Sequence, residues 1–236
     1  MKTISLPDDL RIAAAALAVA AAFTANGARG AEDSATYTVT VTPLWLPTNF
    51  PVDYPQPGIF TGPHFSGVIG ASHSERFTLF KLGNPPSAGL ERLSEMGKHD
   101  PLDAEIKAAI GNGGVGALFE SDPNKELPTK TQVFTIAVDA KHPLVSMAQM
   151  IAPSPDWFAG VANVNLMDGG KFVAEKTVDE MAYDSGGDDG TSYTATDLDA
   201  SPKKPTSMAS SKHFAVNGKA MPVARVTFKR NPPDSM

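Results

Sequence analysis

Short runs of alternating apolar and polar residues, separated by turn residues, restrict the fold of this 236-residue chain more than any other feature. Successive side chains of a strand point to opposite faces of the sheet, so alternation indicates strands with one buried face and one wet face. Such strands are typical of antiparallel sheets. The pattern predicts an all-β sandwich or barrel. The runs are residues 37–41, 77–80, 133–138, 161–166 and 224–228, with longer candidates at 144–151 and 171–183.

Two short helices are predicted to interrupt the strands. Residues 88–97 have apolar side chains at helical spacing, and Ser87 is available as the N-cap. The second helix is predicted to have Asp100 as its N-cap and Pro101 at its first position, and to end at Gly111. We expect the pair to be an insertion lying across one end or edge of the sandwich.

The charge balance and the cysteine count exclude several classes of protein. The chain has 20 Lys and Arg against 26 Asp and Glu, a net charge of −6, so it has no basic footprint for nucleic acid. It contains no cysteine, which excludes a disulfide framework, zinc-thiolate sites and a thiol nucleophile.

The N-terminal residues 1–30 have the pattern of a secretory signal. Lys2 and Arg11 supply positive charge, residues 12–25 are apolar, and small residues precede the expected cleavage before Ala31. The alternative is a membrane anchor or an amphipathic helix, but about 20 apolar residues are needed for a comfortable span. We therefore predict a periplasmic or extracellular protein with one domain over residues 31–236.

Three possible catalytic or binding motifs are incomplete. Residues 111–116 match G-x-G-x-x-G, but they follow a predicted helix where a nucleotide site needs a strand. Residues 70–74 begin like a nucleophile elbow and lack its closing glycine. The five histidines lack zinc-ligand spacing and are expected at the surface or in turns. We predict no enzyme, while a hydrolase using loop carboxylates stays open.

An acidic, glycine-rich loop is the best candidate binding site. Asp184, Asp188 and Asp189 lie within six residues, and the intervening glycines let their carboxylates converge. Calcium takes six to eight oxygen ligands, and a cation would relieve the repulsion between the carboxylates. The loop by itself could equally be a solvated acidic turn, so a second acidic segment is needed to close a site.

Residues 151–161, which read Ile-Ala-Pro-Ser-Pro-Asp-Trp-Phe-Ala-Gly-Val, contain that second segment and resemble the most distinctive motif of the spondin domain family. Four other matches follow the family's order along the chain, and together the matches cover about residues 36–229. They lie in residues 64–73, 89–106, 183–193 and 222–227.

The resemblance implies a C2-like antiparallel β-sandwich that binds calcium at one end and serves cell adhesion or extracellular matrix recognition, not catalysis. The family's calcium ligands correspond to Asp156, Asp184 and Asp188, and Asp189 is an additional acid that could replace or join them. The implied partner is a surface glycan or an extracellular protein, and the alternative to a recognition module is a purely structural envelope or matrix protein.

Two expectations depend on this resemblance. Trp157 and Phe158 either form an aromatic surface at the calcium end or fill the core beneath it. Met167 stands where relatives have cysteine, so a disulfide cannot hold the loops. We therefore expect stability to depend on calcium and to be indifferent to reductant.

Overall fold

The computed structural model describes residues 33–44, 64–121, 131–193, 195–196, 198–209, 214–216 and 219–233. The predicted signal segment, Trp45 and the Pro-rich stretch 47–63 lie outside the described residues. The described helices are α1 (Ala88–Met96) and α2 (Leu102–Gly111). The described strands are β1 (Ser34–Pro43), β2 (His64–Phe65), β3 (Ile69–His73), β4 (Val115–Glu120), β5 (Gln132–Asp139), β6 (Leu144–Ala152), β7 (Trp157–Asn165), β8 (Met167–Asp168), β9 (Lys171–Phe172), β10 (Glu175–Asp184), β11 (Ser207–Met208), β12 (Ala215–Val216), β13 (Lys219–Ala220) and β14 (Ala224–Arg230).

The main sheet has the strand order β4-β3-β6-β7-β10-β14-β1-β5, with β2 beside β6 and β11 beside β10. Every pairing between the described strands of this sheet is antiparallel. Strand β10 belongs to two layers, because residues 175–180 pair with β14 and residues 181–184 pair with β7. The two ends of the sheet approach each other where Phe119 of β4 stacks on Phe134 of β5, with ring centroids 5.7 Å apart. The predicted all-β antiparallel sandwich is confirmed.

The main core lies between the two layers, as the alternation predicts. Tyr37, Val39 and Val41 of β1 are buried, while the threonines between them are partly exposed. Trp157 joins this core, so its interpretation as a core residue is confirmed. Burial of each large apolar side chain stabilises the fold by about 1.5–3 kcal/mol.

The two helices form where predicted, but their predicted position at an end or edge was wrong. They cover the outer face of the layer formed by β3, β6 and β7, where Leu93 and Ile106 pack with Ile69, Ala148 and Phe158 in a second core. This face of the sheet is itself apolar and must be covered, which is why the insertion lies across it. Phe158 is fully buried there and is a core residue as well.

The helix caps agree with the prediction only for α1. The Ser87 hydroxyl accepts a hydrogen bond from the Leu90 N–H at 3.1 Å and donates to Glu105 of α2 at 2.7 Å. The predicted cap at Asp100 was wrong, because Pro101 holds the N-cap position of α2 and makes no side-chain capping bond.

Two other local predictions were wrong, and one strand was not predicted. Residues 77–80 form no strand; instead, Leu79 and Phe80 are buried in the helix-side core. Strand β4 was missed, since its sequence follows a glycine-rich turn and lacks clean alternation. His73 is fully buried, not at the surface or in a turn, and its Nε2 lies 2.7 Å from the Ser146 hydroxyl.

Among the described residues, no helix has the length and apolar character to cross a membrane.

Candidate metal centre

Asp156 lies at the turn between β6 and β7, immediately before Trp157. Ser154 fixes this turn, because its hydroxyl donates to the Ile151 carbonyl at 2.5 Å and accepts from the Trp157 N–H at 3.0 Å. The Asp156 side chain is thereby directed inward and is fully buried.

The two carboxylate oxygens of Asp156 have different surroundings. Oδ2 accepts the backbone N–H groups of Gly186 and Gly187 at 2.9 Å and of Asp188 at 3.1 Å, and the Ser185 hydroxyl at 3.1 Å. Successive backbone N–H groups that converge in this way form an anion-binding nest. Oδ1 is also buried and has no hydrogen-bond partner among the described residues.

Asp184 is the last residue of β10, and its Oδ1 accepts the Gly186 N–H at 3.0 Å. Burial, followed by the negative charge of Asp156, raises the pKa of Asp184 to about 6, although hydrogen bonds from Gly186 and the Trp157 side chain oppose the shift. Burial also raises the pKa of Asp156 and outweighs the hydrogen bonds from the loop. The structure thus brings the buried carboxyl of Asp156 and the partly buried carboxyl of Asp184 into one cluster, where holding both charges is costly.

Asp188 lies beside this cluster, but its carboxylate serves the loop. Its Oδ1 accepts the N–H of Gly190 and its Oδ2 accepts the N–H of Leu198, and the residue is buried. Asp189, the next residue, points to the surface and forms an ion pair with Lys204 at 2.5 Å. Asp188 therefore holds the backbone of the loop, while Asp189 makes an ion pair at the surface.

Residues 199–209, which follow the acidic loop, are hydrogen-bonded to it. The Lys204 N–H donates to the Gly186 carbonyl at 2.8 Å, and the Thr206 hydroxyl donates to the Ser185 carbonyl at 3.0 Å. Ala200 and Thr206 are buried. The segment holds the acidic loop in place, because it donates hydrogen bonds to the backbone carbonyls of the loop.

A second group of acids was missed by the sequence analysis. Within the described ranges, Glu91, Glu95 and Asp199 are the three side chains of metal-ligand type whose oxygens lie within 4.8 Å of one another. Lys203 neutralises part of this group, with its Nζ 2.6 Å from Glu91 and 3.9 Å from Asp199. Glu91 and Glu95 lie one turn apart on α1, but Asp199 is more than a hundred positions further along the chain, so local spacing could not have indicated the whole group.

The donor set suits a hard cation. Carboxylate oxygens are the ligands that calcium prefers, and a cation would satisfy Asp156 Oδ1 and offset the repulsion between Asp156 and Asp184. The hydrolase alternative instead requires a cleft beside a carboxyl of perturbed pKa. Of the cavities formed by the described residues, two of about 520 and 420 Å³ are lined by neither Asp156 nor Asp184.

Comparison with known proteins places the chain in a family. The family model described as Spondin_N matches residues 35–220. Spondin-2 of Rattus norvegicus is 32% identical over 213 residues, which cover 85% of this chain and 63% of the relative. Human spondin-2 is 32% identical over 208 residues and is covered to 61%, and rat spondin-1 is 28% identical over 177 residues and is covered to 21%. This chain thus spans about three fifths of the length of these spondin-2 relatives. The resemblance seen in the sequence is confirmed, and the chain belongs to the Spondin_N family.

Proposed function

We propose that this chain is an exported recognition or adhesion module whose β-sandwich binds calcium at the loops of Asp156 and Asp184 and recognises a surface glycan or an extracellular protein. Membership of the Spondin_N family supports a matrix or adhesion role outside the cell. The pattern of residues 1–30 supports export.

The observation that carries the calcium proposal is the unpartnered Oδ1 of Asp156. A buried polar atom without a partner costs about 1–3 kcal/mol, and more when it is charged. The same carboxylate keeps Oδ2 in a nest of three backbone N–H groups, so it cannot turn to solvent without dismantling the acidic loop. A cation on Oδ1 and Asp184 removes this cost and leaves the loop intact.

In this proposal Asp156 and Asp184 are ligands, and backbone carbonyls or water complete the shell. Asp188 positions the loop around Asp156, because both of its oxygens hold backbone N–H groups. Binding would stabilise the fold by about 2.7 kcal/mol at a calcium concentration one hundredfold above Kd.

Calorimetric titration of the purified chain with calcium, combined with thermal unfolding in calcium and in EGTA, tests this proposal. The informative variant is Asp156→Asn, whose amide oxygen can still accept the N–H groups of the loop while the charged oxygen is lost. We expect this variant to unfold near the wild-type temperature in EGTA and to gain nothing from calcium. Asp168→Asn, at an exposed position in β8, is the matched control and should keep the full calcium response.

Absence of calcium heat and of a thermal shift in the wild-type chain would refute the metal site. Reductant should change neither measurement, because the chain has no cysteine. Recognition is tested separately by glycan arrays and extracellular-protein pull-downs with and without EGTA. Lack of binding in both formats would refute the recognition role even if calcium binds.

A further inference from the structure

A chain of hydrogen-bonded side chains crosses the interior of the sandwich away from the acidic loop. Gln132 of β5 donates through Nε2 to Gln149 Oε1 at 2.9 Å, and Gln149 of β6 donates through Nε2 to Glu180 Oε2 of β10 at 2.7 Å. At its other end, Gln132 Nε2 also contacts the Ser66 carbonyl at 3.4 Å. β5 and β6 are neighbours in sequence but lie far apart in the strand order of the sheet, so the chain links both layers of the fold.

The chain is enclosed, and it ends on an acid. Gln149 and Glu180 are fully buried and Gln132 is 6% exposed. Glu180 Oε2 receives the Gln149 amide, whereas Oε1 has no partner among the described residues. Burial raises the pKa of Glu180 to about 7, and the Gln149 hydrogen bond opposes this shift.

Few other titratable or charged groups act on Glu180. Tyr183, on the same strand, has a raised pKa, caused first by burial and then by the charge of Glu180. Asp179, which precedes Glu180 on β10, and Arg225, opposite Asp179 on β14, pair with each other at 2.7 Å and are partly exposed. The elements that supply the chain, β5 and β6, present the amides of Gln132 and Gln149. Glu180 is therefore hydrogen-bonded to an amide and not to a salt-bridge partner, so the amides must respond when Glu180 gains or loses a proton.

We propose that the Gln132–Gln149–Glu180 chain is a proton-operated switch that reverses its hydrogen-bond direction when Glu180 gains or loses a proton. When Glu180 is ionised, it can only accept, so Gln149 must point its NH₂ group toward it. Gln149 Oε1 then faces Gln132, which must donate in turn.

A protonated Glu180 can donate through Oε2, and both amides can then turn over. Gln149 Oε1 accepts the carboxyl proton, Gln149 Nε2 donates to Gln132 Oε1, and the chain keeps both of its bonds, while the Gln132 NH₂ group leaves the acceptors that it has in the other direction. In this direction the Gln132 NH₂ group turns away from Gln149, and its contact with Ser66 is lost. No atom other than the proton is gained or lost.

The switch reaches a surface cavity through Ser66. Ser66 lines the cavity of about 520 Å³, and its hydroxyl accepts the Met150 N–H at 2.8 Å. Loss of the Gln132 contact frees the Ser66 carbonyl at the junction of β2 and β6. A change in the protonation of Glu180 thus changes the hydrogen bonding of Ser66, which lines the cavity.

The test is an NMR titration of the full chain, labelled with ¹⁵N and ¹³C, from pH 5 to pH 9 in EGTA. We expect the side-chain amide resonances of Gln132 and Gln149 to shift with one common midpoint, which is also the midpoint of the Glu180 Cδ resonance. In Glu180→Gln these shifts should disappear. Glu175→Gln, an exposed acid on the same strand, is the control and should preserve them.

Two results would overturn the proposal. If Glu180 titrates while the Gln132 amide does not move, Glu180 is an isolated buried acid. If Glu180 does not titrate between pH 5 and pH 9, the switch does not exist. Both results come from the wild-type chain, so the test stands even if Glu180→Gln fails to fold.

Discussion

At the scale of single residues, two neighbouring acids of the loop have different surroundings. Asp188 is buried and its two oxygens bind backbone N–H groups, while Asp189 makes an exposed ion pair with Lys204. Buried hydrogen bonds to a charged group contribute about 1.5–3 kcal/mol each, whereas exposed ion pairs contribute about 0–1 kcal/mol. Removal of the Asp188 carboxylate should therefore lower the free energy of unfolding more than removal of the Asp189 carboxylate.

We predict that Asp188→Asn lowers the free energy of unfolding by about 1–3 kcal/mol in EGTA as well as in calcium, because its NH₂ group replaces one of the two oxygens that each accept a backbone N–H group. Asp189→Ser should change this free energy by less than about 1 kcal/mol and alter calcium affinity only modestly. Urea unfolding in both conditions measures the difference. A loss for Asp188→Asn that appears only in calcium would make Asp188 a ligand instead of a loop anchor.

At the scale of elements, the acidic loop depends on the close approach of two backbone segments. Gly186 has a φ of +85°, and a Cβ built on it would lie 2.2 Å from the Lys204 carbonyl oxygen. Gly83 has nearly the same φ, +86°, but a Cβ there would meet nothing within 4 Å. An alanine at either position would have a strained backbone, but only an alanine at Gly186 would also overlap a neighbouring atom. Comparing the two substitutions therefore separates the cost of backbone strain from the cost of steric overlap.

We predict that Gly83→Ala costs about 1–2 kcal/mol, the penalty for an L residue in the left-handed region. Gly186→Ala should cost clearly more and should also abolish the calcium response, since the loop must move away from residues 203–206. Thermal unfolding and calcium titration of both variants test this. Equal losses in the two variants would show that the contact with Lys204 does not constrain the loop.

At the scale of the whole molecule, the buried Glu180 makes stability depend on pH. Its pKa is about 7 in the folded chain against an ordinary value of 4.5, so the folded state holds the proton more tightly than the unfolded state. This contribution is fully present below pH 4.5 and is lost as the pH rises through 7. The raised pKa of Asp184, about 6, acts in the same direction when calcium is absent.

We predict that the free energy of unfolding in EGTA falls by about 3 kcal/mol between pH 4.5 and pH 8 because of Glu180. Urea unfolding over this range, compared between wild type and Glu180→Gln, measures that share. The variant should show a much flatter profile, and Glu175→Gln should follow the wild type. Parallel profiles for wild type and Glu180→Gln would contradict the prediction.

Much of the fold could be predicted from local sequence. Alternation located β1 and β14, where it records which side of the strand is buried. It also located β5, β6 and β7, although β6 and most of β7 are buried on both faces. Ser87 and the helical spacing located α1 for a similarly local reason. Local sequence did not indicate β4, and it wrongly indicated a strand at residues 77–80. In both segments the buried side chains pack against the helices, and the sequence pattern does not report such contacts.

The sequence by itself determined most of the strand pattern and the location of both helices along the chain, and its resemblance to the family singled out Asp156, Asp184 and Asp188 as acids of one site. Only the tertiary structure decided that Asp188 anchors the loop, that Asp189 faces solvent, and that Glu180 is sealed inside the sandwich. The physical reason is that alternation reports only which side of a strand is buried and does not report which groups a side chain contacts. The partners of a buried polar atom are fixed by the folded path of a loop, as for Asp188, or by strands that meet in the tertiary structure, as for Glu180.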